Sequence, residues 1–216
     1  MSDIGPTLGH DDIELKNRAL IVCDVDEVVL EFLTPFNGFL KASGFELLPR
    51  SFRLTGNIVS LDDGTAAAGE TVAALLDEFF ARQIDWQTPA GGVDKALSNL
   101  SRIADVVFLT AMPPRHYEVR RSLLNRHGLT YPLIATEKDK GPLINEIHAD
   151  RDHPLIFIDD MIYNLHSVKK HAPDAHTICY MSNDHFRAMA PHPGDDVTQA
   201  ADWNEIEQII RDHMGA

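Results

Sequence analysis

Five short apolar runs punctuate the chain: Ala19 to Cys23, Val106 to Leu109, Tyr131 to Ala135, Leu155 to Ile158 and Thr177 to Met181. They are largely continuous rather than alternating, as expected of strands covered on both faces. Helical periodicities lie between them. Arg115 to His127 places Tyr117, Val119, Leu123 and Leu124 on a helix that Gly128 stops. Leu143 to His148 is a short helix led by Pro142, which a first helical turn tolerates. Asp202, with Glu205 three residues on, reads as a capping box for a last helix that packs on the sheet through Trp203, Ile206, Ile209 and Ile210. Strands alternating with helices predict an α/β fold, a parallel sheet of about five strands flanked by helices.

One interval breaks the rhythm. The stretch from Phe32 to Gln87 is too long for a simple crossover; it carries helical patterns, notably Thr71 to Arg82, and one weak strand signal, Asn57-Ile58-Val59. It reads as a mainly helical insertion. Pro89-Ala90-Gly91-Gly92 then re-enters the core, followed by a helix over Val93 to Arg102. The chain divides into an α/β core of residues 1–31 and 88–216 and a helical unit of residues 32–87. Ala190 to Asp196, rich in Pro and Gly, is a loop.

Composition narrows the function classes. Apolar residues at 44% and charged residues at 24% are ordinary for a globular protein. The 19 Lys and Arg against 33 Asp and Glu, a net −14, argue against a nucleic-acid polymer as partner. A small anion can still bind where positive charge is focused. The 11 His show no metal-type spacing. Cys23 and Cys179 each sit in an apolar run and read as buried reduced thiols; nothing near Cys23 in sequence would lower its pKa for nucleophilic work. Met1 to Pro6 lacks the basic and apolar regions of a signal peptide, and no stretch approaches membrane-spanning length, so the expectation is a cytoplasmic protein without a membrane partner.

The candidate chemistry sits at the ends of the runs. In Asp24-Val25-Asp26 the two carboxylates are at i and i+2, so on an extended chain they point to the same side and suit a hard cation such as Mg²⁺. An Asp after a strand is also a common turn former or helix cap. Thr110 ends the second run, and Asp159-Asp160 ends the fourth. In an open parallel sheet the C-terminal edge is where ligands bind, so these segments meet in one crevice. Lys138 and Lys140 can both supply a cation there; Lys140, directly before Gly141-Pro142, lies beside helix-start amides that attract anions.

In this order the residues resemble the haloacid dehalogenase-like superfamily of aspartyl-phosphate hydrolases. The first motif is Asp24-Val25-Asp26-Glu27-Val28-Val29, the second Thr110, the third Lys140, and the fourth Asp159-Asp160 with Asn164 following. The resemblance runs from Ala19 to about Met181. The insertion is similar to the family's helical cap placed after the first motif, and Thr88-Pro89-Ala90-Gly91-Gly92 to the return from it. The resemblance implies a Rossmann-like core and a Mg²⁺-dependent phosphatase acting on a small phosphorylated metabolite or nucleotide. Asp24 would be the nucleophile and Asp26 the proton carrier, while Thr110 and Lys140 would hold the phosphoryl group. Asp24, the Asp26 backbone carbonyl and Asp159 would hold the metal, with Asp160 a second acid beside it. Glu27 stands where many members carry Gly, and Asn164 where Asp is frequent. Three other readings remain: a phospholigand-binding or regulatory protein without turnover, a phosphotransferase, and a dehalogenase, which would not need the acids beyond the nucleophile. In the insertion, Phe36, Phe39, Phe45 and Phe52 are expected to pack the helices, with Arg53 and Asn57 as polar candidates for substrate contact. Arg115 and His116, just after Thr110, could reach the same crevice. The sequence leaves the oligomeric state open.

Overall fold

Each apolar run becomes a strand, and the helices between the runs cover both faces of the sheet they form. The computed structural model describes residues 7–10, 13–51, 53–149 and 151–215. After β1 (Ala19–Cys23) comes the inserted group: α1 (Leu33–Ala42), β2 (Phe45–Leu47), β3 (Ile58–Ser60) and α2 (Gly69–Ala81). The alternation then resumes with α3 (Val93–Leu100), β4 (Ala104–Thr110), α4 (Tyr117–Arg126), β5 (Leu133–Ala135), α5 (Lys140–His148) and β6 (Leu155–Asp159). It ends with α6 (Ile162–His171), β7 (His176–Cys179), α7 (Asp184–Arg187), β8 (Thr198–Gln199) and α8 (Trp203–Met214).

Among the described residues the main sheet has six strands in the order β5-β4-β1-β6-β7-β8, parallel at every pairing. Strand β1 lies at its centre. Ile21 and Cys23 face a cluster built with α3, α4 and α8, while Leu20 and Val22 face another built with α5 and α6. Two covered faces explain the unbroken apolar run. The register aligns Cys23 with Phe108 on one side and Ile158 on the other. Asp24, Thr110 and Asp159 therefore emerge within about two residues of one edge.

The expected elements are present, with adjustments. Strand β8 is two residues long, too short to show a period, and was not expected; nor was α6. The helix expected over Arg115 to His127 opens with a 3₁₀ turn, Pro114–His116. The one expected to start near Pro142 begins at Lys140, because the Asp139 carboxylate accepts from the Gly141 amide at 3.2 Å and caps it. Helix α5 also packs tightly on α6: a Cβ at Gly141 would lie 2.5 Å from the Ser167 carbonyl oxygen. Asp202 caps α8 as expected, but Glu205 returns to the Ala201 amide rather than to Asp202. Helix α8 does more than cover the sheet, since the Trp203 indole donates to the Val28 carbonyl at 3.0 Å, behind the acidic loop.

In the inserted group, α1 and α2 pack through Phe36, Phe39 and Phe79, and Met181 and Phe186 from the segment after β7 complete the cluster. Burying each such side chain is worth about 1.5–3 kcal/mol. Strands β2 and β3 pair antiparallel, so the Asn57-Ile58-Val59 signal was half of a small hairpin whose partner is Phe45–Leu47. Phe45 packs against the cluster partly buried; Phe52 lies outside the described residues. No described helix is long and apolar enough to cross a membrane.

Candidate active site

The Asp24 amide donates to the Ile158 carbonyl at 2.8 Å, carrying the β1–β6 pairing one step past the strand. The chain then turns back, with the Val29 and Leu30 amides donating to the Val25 carbonyl. Glu27 takes the left-handed backbone, φ 68°, that a glycine would adopt freely. For a residue with a Cβ this costs roughly 1–2 kcal/mol. Its carboxylate offsets that cost: it accepts from the amides of Phe32 (3.1 Å), Leu33 (2.7 Å) and Asn183 (2.7 Å) and from the Ser182 hydroxyl. Burial pushes its pKa up, while those four donors pull the other way. The turn of the resemblance is thus kept without the glycine, and Glu27 ties the acidic loop to the start of α1 and to the segment after β7.

On the core side of the loop, Lys140 is buried with its ammonium between two carboxylates. It donates to Asp24 Oδ1 and, at 2.7 Å, to Asp159 Oδ2. Burial opposes its charge, but Asp159 and Asp24 outweigh burial and hold it above the ordinary lysine range. Lys138 is exposed on the preceding turn. For Asp24, burial prevails over Lys140 and, with Asp159 and Asp26 pushing the same way, raises the carboxyl to about 7. Asp159 is saturated: besides Lys140 it accepts from the Met161 amide (2.8 Å) and from Asn164 Nδ2, 3.1 Å from each oxygen. Asp160 is different. Burial, then Asp159 and Asp24, push its carboxyl well up, and no described residue donates a hydrogen bond to it.

On the insertion side, Asp26 faces Arg120, which is wholly buried on α4. The guanidinium donates to both Asp26 oxygens, at 2.8 and 3.1 Å from Nη2 and 3.1 Å from Nη1. Gln83 accepts from Arg120 Nε, and Gln87 Nε2 bridges Asp26 Oδ1 (2.9 Å) to the Glu31 carbonyl (3.0 Å). Thr110, also wholly buried, donates to Asp26 Oδ2 at 3.3 Å and accepts from the Met112 amide. The two acids therefore share a loop but engage different cations, where an extended chain had implied a common point. Arg120, Gln83 and Gln87 were missed in the sequence. The only available sign was an arginine on the apolar side of an otherwise basic helix.

A cavity of about 350 Å³ opens over this edge, lined by Asp24, Asp26, Lys140, Asp160 and Asn164 and by residues of the insertion. Arg53 lines it as expected. Asn57 does not: its amide group holds Ser51 and Arg53 in their loop. Arg115 and His116 both bind Asp77 of α2, at 2.5 and 2.6 Å, and brace the insertion on the core away from the cavity. Of the insertion's phenylalanines, Phe32 and Phe80 reach the lining, while Phe36 and Phe39 are core. Cys23 is fully buried, and its thiol pKa is pushed up by burial and by Asp24, which excludes a nucleophilic thiol.

The donor set fits a hard cation. Three carboxylates, Asp24, Asp159 and Asp160, face one ammonium, and the Asp160 oxygens lack donors while lining the cavity. Among the described residues no group of three His, Cys, Asp or Glu side chains is arranged to hold an ion alone. A cation there must draw on carbonyl, water or substrate oxygens, which is the habit of Mg²⁺.

No protein-family model and no curated protein matches the sequence. The fold does have solved likenesses. A predicted phosphatase from Clostridium acetobutylicum matches at TM-score 0.58 and 13% identity, over 91% of this chain and 100% of that one. A haloacid dehalogenase-like family hydrolase from Streptococcus pneumoniae matches at 0.58 and 11%, over 90% and 99%. A predicted phosphoglycolate phosphatase from Haemophilus somnus matches at 0.56 and 11%, over 91% and 100%. At these identities the likeness is one of architecture, and the chain has the haloacid dehalogenase-like fold.

Proposed function

We propose that the protein is a Mg²⁺-dependent phosphatase of small phosphomonoesters that works through an aspartyl-phosphate on Asp24. The observation that carries this reading is the Lys140 ammonium between Asp24 and Asp159, with the unpartnered Asp160 beside them on the cavity lining. A lysine so placed neutralises charge on the attacking carboxylate and on the incoming phosphoryl group together. Residues 32–87 act as the cap over the site.

Asp24 attacks phosphorus, the bond to the leaving oxygen breaks, and water later cleaves the acyl phosphate to free Asp24. Asp24, Asp160 and the Asp26 carbonyl would be the oxygens that hold Mg²⁺, which when bound would supply charge stabilisation at the phosphoryl group. Asp159 serves better as the anchor of Lys140 than as a ligand, since its own oxygens are already filled. Asp26 is the proton carrier. As it stands both its oxygens are hydrogen-bonded; to take a proton from water or deliver one to the leaving group it must first turn away from Arg120.

That saturation of Asp26 also favours a second reading on the same fold, a phospholigand-binding protein with negligible turnover. Hydrolysis of 4-nitrophenyl phosphate separates the two. The phosphatase should turn it over with Mg²⁺, lose activity with chelator, and lose about a thousandfold, roughly 4 kcal/mol of barrier, in Asp24→Asn. Wild-type turnover in Asp24→Asn would refute the nucleophile assignment, and phosphate binding without release would establish the second reading.

A further inference from the structure

The cavity has two chemically distinct ends. At the floor stand Asp24, Lys140, Asp160 and Asn164. The wall above is apolar and comes from both parts of the molecule: Phe32, Leu54 and Phe80 from the insertion, Met112, Met181 and Phe186 from the core. Met112, Met181 and Phe186 are each less than a tenth exposed. Asp26 and Glu27 also line it, but Arg120, Gln87 and Thr110 engage the first and the amides of Phe32, Leu33 and Asn183 the second. Beyond these acids and the floor, Arg53 is the polar side chain on the described lining, and Asn57, the other candidate for polar contact, is turned into its own loop.

An ester bound with its phosphorus at Asp24 must lay its leaving group along this wall. Hydroxyl groups placed there would give up water and find almost no partner, a loss that grows with each one. A ring would meet phenylalanine edges and thioethers, which pack well on aromatic faces and adapt to their outline. At about 350 Å³ the space is near the small end of ligand sites, which suits one or two rings with the phosphate. We infer that the site selects phosphomonoesters with a compact hydrophobic, ring-containing leaving group and discriminates against phosphorylated sugars and polyols. This deepens the phosphatase reading and rests on it.

Esters of primary alcohols isolate the effect from leaving-group reactivity. With the full chain and Mg²⁺, kcat/KM for 2-phenylethyl phosphate should exceed that for glycerol 3-phosphate and glucose 6-phosphate by about a hundredfold, the scale on which apolar pockets reject a hydroxylated competitor. Leu54→Asn should shrink that ratio severalfold, chiefly by raising KM for the phenylethyl ester. Equal or inverted preference in the wild type, or an unchanged ratio in Leu54→Asn, overturns the inference while leaving the phosphatase standing. No hydrolysis of any of these esters or of 4-nitrophenyl phosphate removes the phosphatase reading and this one together.

Discussion

On the core side of the loop after β1, Asp24 shares one lysine ammonium with Asp159; on the insertion side, Asp26 has a whole guanidinium, one glutamine and a threonine around it. The loop is common to both, so the contrast comes from what packs against it. A lysine is a compact point charge with three donors, and Lys140 spends two of them on different carboxylates, leaving Asp24 incompletely paired. An arginine presents a planar fork that matches one carboxylate, and Arg120 fixes Asp26 in a single orientation. One acid keeps an oxygen without a donor among the described residues, and the other is held in place. Gln87 extends that hold to the Glu31 carbonyl, at the point where the chain leaves the core for the insertion.

Lys140→Met strikes the contrast hardest. It should leave Asp24 and Asp159 buried without their cation, costing about 3–5 kcal/mol of stability, and lower turnover about a thousandfold. Denaturant unfolding and steady-state rates check both, and a wild-type rate in a folded variant would remove Lys140 from the site. Arg120→Met should cost less, about 1–3 kcal/mol, because the Asp26 side chain is 20% exposed and can take up water. Arg120→Lys should not restore it, since one ammonium cannot make the bidentate pair. In both variants kcat should change more than KM; full rescue by lysine would show that charge alone, not the fork, matters at Asp26.

A further effect is one of pH. In the metal-free protein Asp24 is raised from about 3.8 to about 7 by burial, and Asp160 is raised as well. Between those values the folded state keeps a proton that the unfolded chain releases, so stability is greatest below the window and falls as pH rises through it. Urea unfolding at intervals from pH 4.5 to 8 should show that decline, and Asp24→Asn should flatten it. A stability that rises with pH over this range would contradict the burial of Asp24.

Much of this was legible because it is local. Runs such as Leu155 to Ile158 are apolar throughout because both faces of their strands are covered, and acids at their ends mark the sheet edge where the apolar run stops. Caps such as Asp202 announce themselves within three residues. Strands β8 and β2 escaped notice, and β3 gave only the weak signal at Asn57-Ile58-Val59, because two or three residues carry no measurable period. Glu27 could be flagged as unusual, yet nothing in the sequence shows that its four donors come from residues 32 and 33 and from residues 182 and 183.

By itself, the sequence determined the α/β order and the sheet edge, and it marked Asp24, Asp26, Thr110, Asp159 and Asp160, with Lys138 or Lys140, as candidates there, since each follows from the pattern within a few neighbours. Only the tertiary structure decided that Lys140 is shared between Asp24 and Asp159, that Arg120 grips Asp26, and that the cavity wall is apolar. Those pairings span 19 to 116 residues. In the sequence Arg120 and Arg121 look alike; burial of one against Gln83 and Asp26, and release of the other to backbone carbonyls at Leu129 and Tyr131, is settled by the face that α4 turns to the insertion.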